Sequence, residues 1–89
     1  MYNYQKIAKA VMKNFPEEKY VTYSEILDKV LSVFTDMKTG SIIPSDLCDN
    51  HINEDPKSGK HTIFSKDLVN EGRYTVLPYK KIKDSCNLK

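Results

Sequence analysis

The first third of the chain carries two runs of apolar residues at helical spacing. The first run predicts an amphipathic helix over residues 3–14, which Pro16 ends because the residue before a proline is pushed out of the helical region. The apolar positions of this first run are Tyr4, Ile7, Ala8, Val11, Met12 and Phe15. The second run predicts a second helix and consists of Tyr23, Ile26, Leu27, Val30, Leu31 and Phe34.

A short β-branched and aromatic segment, Tyr20-Val21-Thr22, separates the two runs and is typical of a brief strand. Thr22 and Glu25 have the spacing of a capping box, in which the hydroxyl accepts from one backbone N–H and the carboxylate reaches back to another. The second helix is therefore predicted to begin directly after the strand.

The stretch from Ser41 to Asn53 predicts a third helix over residues 44–53. Pro44 suits its first turn, because the fixed φ is helical and the missing N–H needs no partner there. One side of the helical wheel holds Pro44, Leu47, Cys48, His51 and Ile52. The opposite arc holds Asp46, Asp49, Asn50 and Asn53. Such a helix presents amide and carboxylate groups to a partner.

The last third of the chain has the pattern of a β-hairpin. Residues 61–65 and 73–77 predict two strands, and the loop between them contains Asn70-Glu71-Gly72, which can supply a positive φ. Pro78 ends the second strand, because it cannot donate a ladder hydrogen bond. We expect the lysine-rich residues that follow to form a tail, with residues 84–89 outside a single domain of residues 1–83.

The order of these elements predicts an α+β fold of the winged helix-turn-helix kind. It would consist of three helices plus a small antiparallel sheet with a C-terminal β-hairpin wing. The strand at residues 20–22 can join the hairpin as the third strand of the sheet. The third helix and the wing, residues 66–73, would then be the elements that face a partner.

Charge is unevenly distributed along the 89 residues, whose net charge is +2. Residues 1–55 contain six lysines and nine acidic residues, whereas residues 56–89 contain eight basic and three acidic residues. A polyanion would therefore meet the C-terminal third. We find no apolar run long enough to span a membrane and no signal-peptide core, so we expect a cytoplasmic chain with free Cys48 and Cys86 thiols.

The segment Ile43-Pro44-Ser45-Asp46-Leu47-Cys48-Asp49-Asn50, followed by Phe64 and Gly72-Arg73-Tyr74, resembles a known pattern. It is similar to small winged-helix modules that occur alone or attached to restriction endonucleases, whose third helix reads roughly Pro-Ser-Asp-Tyr-Cys-Tyr-Asn. Leu47 and Asp49 stand where that pattern has tyrosines. The resemblance implies nucleic-acid binding.

Duplex DNA is the first partner that this reading predicts. Asn50 and Asn53 could contact base edges, since asparagine pairs bidentately with adenine, or could bond to the backbone at the end of the helix. The cations that could neutralise phosphates flank the helix or lie on the wing: Lys57, Lys60, Lys66, Arg73, Lys80 and Lys81. The helix itself has no lysine or arginine, and the acidic Asp46 and Asp49 oppose phosphate binding.

A nucleic-acid-binding protein is the alternative partner. The chain would then be an inhibitor of a nucleic-acid-processing complex, of the anti-CRISPR or anti-restriction type. Its contact residues would be Asp46, Asp49, Asn50 and Asn53. A homodimer formed through the apolar first helix is a further expectation.

Catalytic chemistry is not expected from this sequence. Cys48 and His51 lie one helical turn apart, but both fall on the apolar side, where a cysteine is usually an inert hydrophobe. The cysteines and histidines lack the paired spacing of a zinc site, and there is no glycine-rich phosphate loop. We therefore expect no enzyme activity, no metal site and no cofactor.

Overall fold

The computed structural model describes residues 1–50 and 61–88. Within these ranges the helices are α1 (Asn3–Asn14), α2 (Tyr23–Val33) and α3 (Tyr79–Ser85). The strands are β1 (Tyr20–Thr22), β2 (Phe64–Lys66) and β3 (Arg73–Val76). Two short 3₁₀ turns, Thr39–Ser41 and Pro44–Leu47, connect α2 to the later strands.

Helices α1 and α2 form where the hydrophobic periodicity predicts them. The capping box at α2 is confirmed: the Thr22 hydroxyl accepts from the Glu25 N–H at 3.2 Å, and the Glu25 carboxylate accepts from the Thr22 N–H at 3.0 Å. Helix α1 ends one residue before Phe15, whose N–H donates to the Val11 carbonyl. Local sequence signals therefore place both helices correctly.

The three strands form one antiparallel sheet in the order β1-β3-β2. Tyr20 of β1 lies opposite Thr75, which in turn lies opposite Ser65 of β2. The predicted third strand at residues 20–22 is confirmed, while the hairpin strands are shorter than the predicted 61–65 and 73–77. The described part of the chain is α+β, with helices packed on a small three-stranded antiparallel sheet.

The apolar core lies between the helices and one face of the sheet. Because successive side chains of a strand point to opposite faces of the sheet, one face holds the buried residues Val21, Phe64, Tyr74 and Val76. Helix α1 contributes Ile7, Ala8, Ala10 and Val11, all of which are buried. This part of the apolar face of α1 therefore packs inside the protomer.

The predicted helix over residues 44–53 is wrong in its described part. A single 3₁₀ turn at Pro44–Leu47 is followed by Cys48 in an extended conformation. Cys48 forms an isolated parallel β-bridge with Phe64 at the edge of the sheet. Backbone pairing with the hairpin, which a helical wheel cannot represent, has replaced the helical hydrogen bonds there. Residues 51–53 lie outside the described ranges.

A helix takes the place of the expected tail. Helix α3 begins directly after Pro78, and both Ile82 and Cys86 are fully buried in the core. Their spacing, together with Tyr79, is the i, i+3, i+7 pattern of an amphipathic helix. In the described ranges, no helix has the length and apolar character needed to cross a membrane.

Candidate nucleic-acid interface

Residues 48–50, here called the edge turn, extend the sheet beyond β2. The Asp49 N–H donates to the Phe64 carbonyl at 3.0 Å, and the Ile63 N–H donates to the Leu47 carbonyl at 2.8 Å. These bonds hold the segment after Pro44–Leu47 alongside β2. Residues 48–50, which the sequence placed on a recognition helix, therefore lie along the edge of the sheet.

The Asn50 side chain acts as a short substitute for a neighbouring strand. Its Nδ2 donates to the Lys66 carbonyl at 2.8 Å, and its Oδ1 accepts from the Lys66 N–H at 2.7 Å. Bidentate pairing with adenine would use the same edge of the amide. In this structure Asn50 therefore has a structural role, and a base-reading role would require these two bonds to break.

Two lysines lie at the edge turn. The Lys81 Nζ on α3 is 3.9 Å from the Asp49 Oδ2, and both side chains are partly exposed. The backbone of Lys66 is held there by the two hydrogen bonds of the Asn50 side chain, and the Lys66 charge acts on the Cys48 thiol. The Lys81 cation lies within ion-pair distance of Asp49, which reduces the repulsion that this carboxylate would exert on a phosphate.

The Lys81–Asp49 pair is weakly held. Exposed ion pairs contribute about 0–1 kcal/mol, because water screens the charges and two long side chains must be ordered. Lys81 can therefore exchange Asp49 for a phosphate oxygen at small cost. Lys80 is exposed on the same helix, next to Lys81.

Cys48 does not have the character of a nucleophile. Burial, followed by the nearby negative charge of Asp49, raises the pKa of the thiol from 9.0 to about 12. The Cys48 Sγ lies 3.3 Å from the Pro44 carbonyl oxygen. Cys86 is also free and buried, and burial raises its pKa as well. His51, which the predicted helix put one turn from Cys48, lies outside the described residues.

Arg73 lies apart from Lys66 and Lys81 of the edge turn. Alternation puts Arg73 on the outer face of the sheet, whereas Lys66 is on the opposite face with Phe64. Arg73 instead lines an open cavity of about 400 Å³ together with Tyr20, Val21, Thr22 and Asp67. The structure therefore separates the predicted wing cations into two groups.

The remaining predicted site residues fall into two sets. Asn53, Lys57 and Lys60 lie outside the described residues. Asp46 is exposed in the Pro44–Leu47 turn and lines a smaller cavity of about 200 Å³ beside α1. Among residues 1–50 and 61–88, no group of three or more potential ligands could hold a metal ion.

Lys80 and Lys81 are among the cations that the sequence predicts, but α3, the helix that positions them, is not predicted from it. Lys81 was assigned to a tail, yet it reaches Asp49 because Ile82, the next residue, anchors the helix in the core. The apolar spacing of Tyr79, Ile82 and Cys86 after Pro78 was the available signal. No protein-family model matches this chain, and neither does any curated protein or solved structure.

Proposed function

We propose that this chain is a DNA-binding module of the winged-helix class that contacts duplex DNA at the edge turn. The helix–strand–helix order followed by a hairpin, with the sheet order β1-β3-β2, supports the class. The observation that carries the proposal is the position of Lys81 at Asp49, in the turn whose Asn50 bonds the Lys66 backbone. It supplies cations where the sequence alone has only acids.

The proposed binding relies on phosphates more than on bases. Lys66 and Lys81, with Lys80 beside them, would neutralise backbone phosphates and release counterions. Asn50 is engaged with the Lys66 backbone, and a single 3₁₀ turn is too short to fill a major groove. We therefore propose salt-dependent binding with little sequence preference, without catalysis, metal or cofactor.

Fluorescence anisotropy with a labelled duplex, titrated at several salt concentrations, tests this proposal. Lys66→Ala and Lys81→Ala should each weaken binding and reduce the slope of log K against log salt by about 1. Lys9→Ala, an exposed lysine on α1, is the matched control and should change neither quantity. An absence of duplex binding at low salt, or equal effects from all three variants, would contradict the proposal.

The alternative function is a protein-binding inhibitor that uses its acidic residues. The exposure of Asp46 and Asp49 on consecutive turns favours it. Asp49→Asn separates the two candidates by the sign of its effect. If the edge turn binds phosphates, removing this carboxylate raises duplex affinity. If the carboxylate is the contact group for a basic protein surface, the same change weakens capture of that protein and leaves duplex affinity unchanged.

A further inference from the structure

Three aromatic rings lie nearly parallel where the start of α1 meets the end of α3. The Tyr4 ring stacks on the His61 ring, with centroids 3.6 Å apart and planes 6° apart. Tyr4 also stacks on Tyr2, with centroids 5.6 Å apart and planes 8° apart. We call these three residues, Tyr2, Tyr4 and His61, the aromatic stack. Tyr4 and His61 are partly buried, whereas Tyr2 is 69% exposed, so the stack presents one ring to solvent.

Hydrogen bonds hold the backbone of Tyr2 and the ring of His61. The Tyr2 N–H donates to the Gln5 Oε1 at 3.1 Å, and the Tyr2 carbonyl accepts from the N–H groups of Gln5 and Lys6, each at 3.1 Å. The His61 Nδ1 lies 3.0 Å from the Ser85 carbonyl oxygen, and it is the donor because a carbonyl can only accept. A ring that is already ordered loses little entropy when a ligand stacks on it.

The aromatic stack lies about one helical turn along α3 from Lys81. Lys81 and Ser85 are four residues apart, so they share one face of the helix and are about 6 Å apart along its axis. Lys81 meets Asp49 of the edge turn. Ser85 bonds His61 through its carbonyl and the Thr62 backbone through its hydroxyl. A short segment of one nucleic-acid strand can therefore reach both Lys81 and the stack.

Carboxylates near the aromatic stack disfavour a phosphate at that point. Asp46 lines a cavity of about 200 Å³ together with Tyr4, and Asp84 is exposed near the end of α3. The group that best suits the exposed Tyr2 ring is therefore planar and uncharged. Nucleobases have this character, and every base offers a π face to an aromatic side chain. Lys81 supplies a cation for a phosphate of the same strand.

We infer that the Tyr2 ring binds an unpaired nucleobase of single-stranded DNA, which extends the aromatic stack, while Lys81 contacts a phosphate of the same strand. This inference rests on the proposed function only for the phosphate contact of Lys81. Stacking on an aromatic ring tolerates any base, so the site would recognise an unpaired strand without reading its sequence.

Fluorescence anisotropy with two labelled strands of about eight nucleotides tests the inference. One strand is oligothymidine, and the other keeps the same phosphates but has an abasic site in place of every base. The wild-type chain should bind oligothymidine at least about fivefold more tightly than the abasic strand. Lys81→Ala should weaken binding of both strands to the same degree, because both strands carry the phosphates.

Substitutions of Tyr2 test which ring is responsible. Tyr2→Leu should remove the preference for oligothymidine, whereas Tyr2→Trp, which keeps an aromatic ring, should retain it. The capping bonds of Tyr2 involve its backbone, so both variants keep them. Tyr20→Leu is the matched control, because it removes a tyrosine that is 73% exposed on β1, and it should leave the preference unchanged. Unchanged midpoints of urea denaturation would show that the variants are folded.

The outcomes separate this inference from the proposed function. Equal wild-type affinity for the two strands, binding to neither strand, or a preference that Tyr2→Leu leaves intact overturns the stacking site. Duplex binding that depends on Lys66 and Lys81 would in those cases leave the proposed function standing. A preference for oligothymidine that depends on Tyr2, in a chain that does not bind duplex DNA, would support the stacking site and overturn the proposed function alone.

Discussion

At the scale of single residues, Asn50 shows how a side chain can replace a strand. Its amide bonds both the N–H and the carbonyl of Lys66, at 2.7 and 2.8 Å. Without the Asn50 side chain, the N–H and the carbonyl of Lys66 would lose these two hydrogen bonds. A partly buried polar group without a partner is costly, so Asn50 stabilises the hairpin as well as the edge turn.

Replacing Asn50 should therefore destabilise the fold. Asn50→Ala removes two hydrogen bonds and should lower the free energy of unfolding by about 1–3 kcal/mol, measured by urea denaturation. Asn70→Ala is the matched control, because within the described residues its exposed side-chain amide bonds the Asp67 side chain alone. Equal stability losses in the two variants would show that the two Asn50 hydrogen bonds contribute little to the free energy of unfolding.

Cys48 predicts a dependence of stability on alkaline pH. Burial raises the pKa of its thiol in the folded state from 9.0 to about 12, so the folded chain retains a proton that the unfolded chain releases. The free energy of unfolding should be at its full value below pH 9 and should fall as the pH rises towards 12.

Denaturation at a series of alkaline pH values checks this dependence. Cys48→Ala should reduce stability at neutral pH, because it removes a buried side chain, but its stability should decline less steeply above pH 9. Some decline should remain, since burial raises the pKa of Cys86 in the same direction. Parallel pH profiles for the wild type and Cys48→Ala would contradict the view that the raised pKa of Cys48 causes this loss of stability.

At the scale of elements, α3 depends on tertiary contacts. A helix of seven residues is too short to be stable alone in water. The Tyr79 N–H donates to the Glu17 carboxylate at 2.7 Å, and the Tyr79 hydroxyl donates to the Phe15 carbonyl. At the other end, the Gln5 side chain donates to the Cys86 carbonyl at 3.2 Å. Helix α3 is thus attached to both ends of α1.

Ile82 should be the main anchor of α3. Ile82→Ala leaves a cavity in the core and should lower the free energy of unfolding by about 2–5 kcal/mol. Lys83→Ala, on the exposed face of the same helix, should change it by less than about 0.5 kcal/mol. Chemical denaturation of both variants provides the comparison. Similar values for the two would mean that α3 is not packed as the structure shows.

The segment after Pro44 shows why periodicity failed at one element. Leu47 and Cys48 are both buried, which agrees with the apolar side of the predicted helix. Adjacent buried residues occur equally in a turn that runs into a sheet edge, so the pattern did not distinguish the two structures. The bridge between Cys48 and Phe64 depends on the position of the hairpin, which lies far along the chain.

At the scale of the whole molecule, folding rearranges the charges that the sequence separates. The N-terminal segment is net acidic and the C-terminal segment is net basic, but α3 brings Lys81 beside Asp49. The acidic character of the edge turn is thereby reduced.

The sequence by itself determined α1, β1, α2 and the existence of the hairpin. These elements follow from local causes: apolar spacing along two helices, the hydroxyl of Thr22 opposite Glu25, and alternation along the strands. It also supplied the α+β class, because a short strand before α2 can join a later hairpin.

Only the tertiary structure decided what residues 44–50 and α3 do. The path of the edge turn depends on backbone hydrogen bonds to β2, and the stability of α3 depends on burial of Ile82 and bonds to α1. Both depend on partners distant in sequence, which the local pattern cannot supply. The candidate interface combines these two elements, so the relative placement of its residues depends on the folded chain.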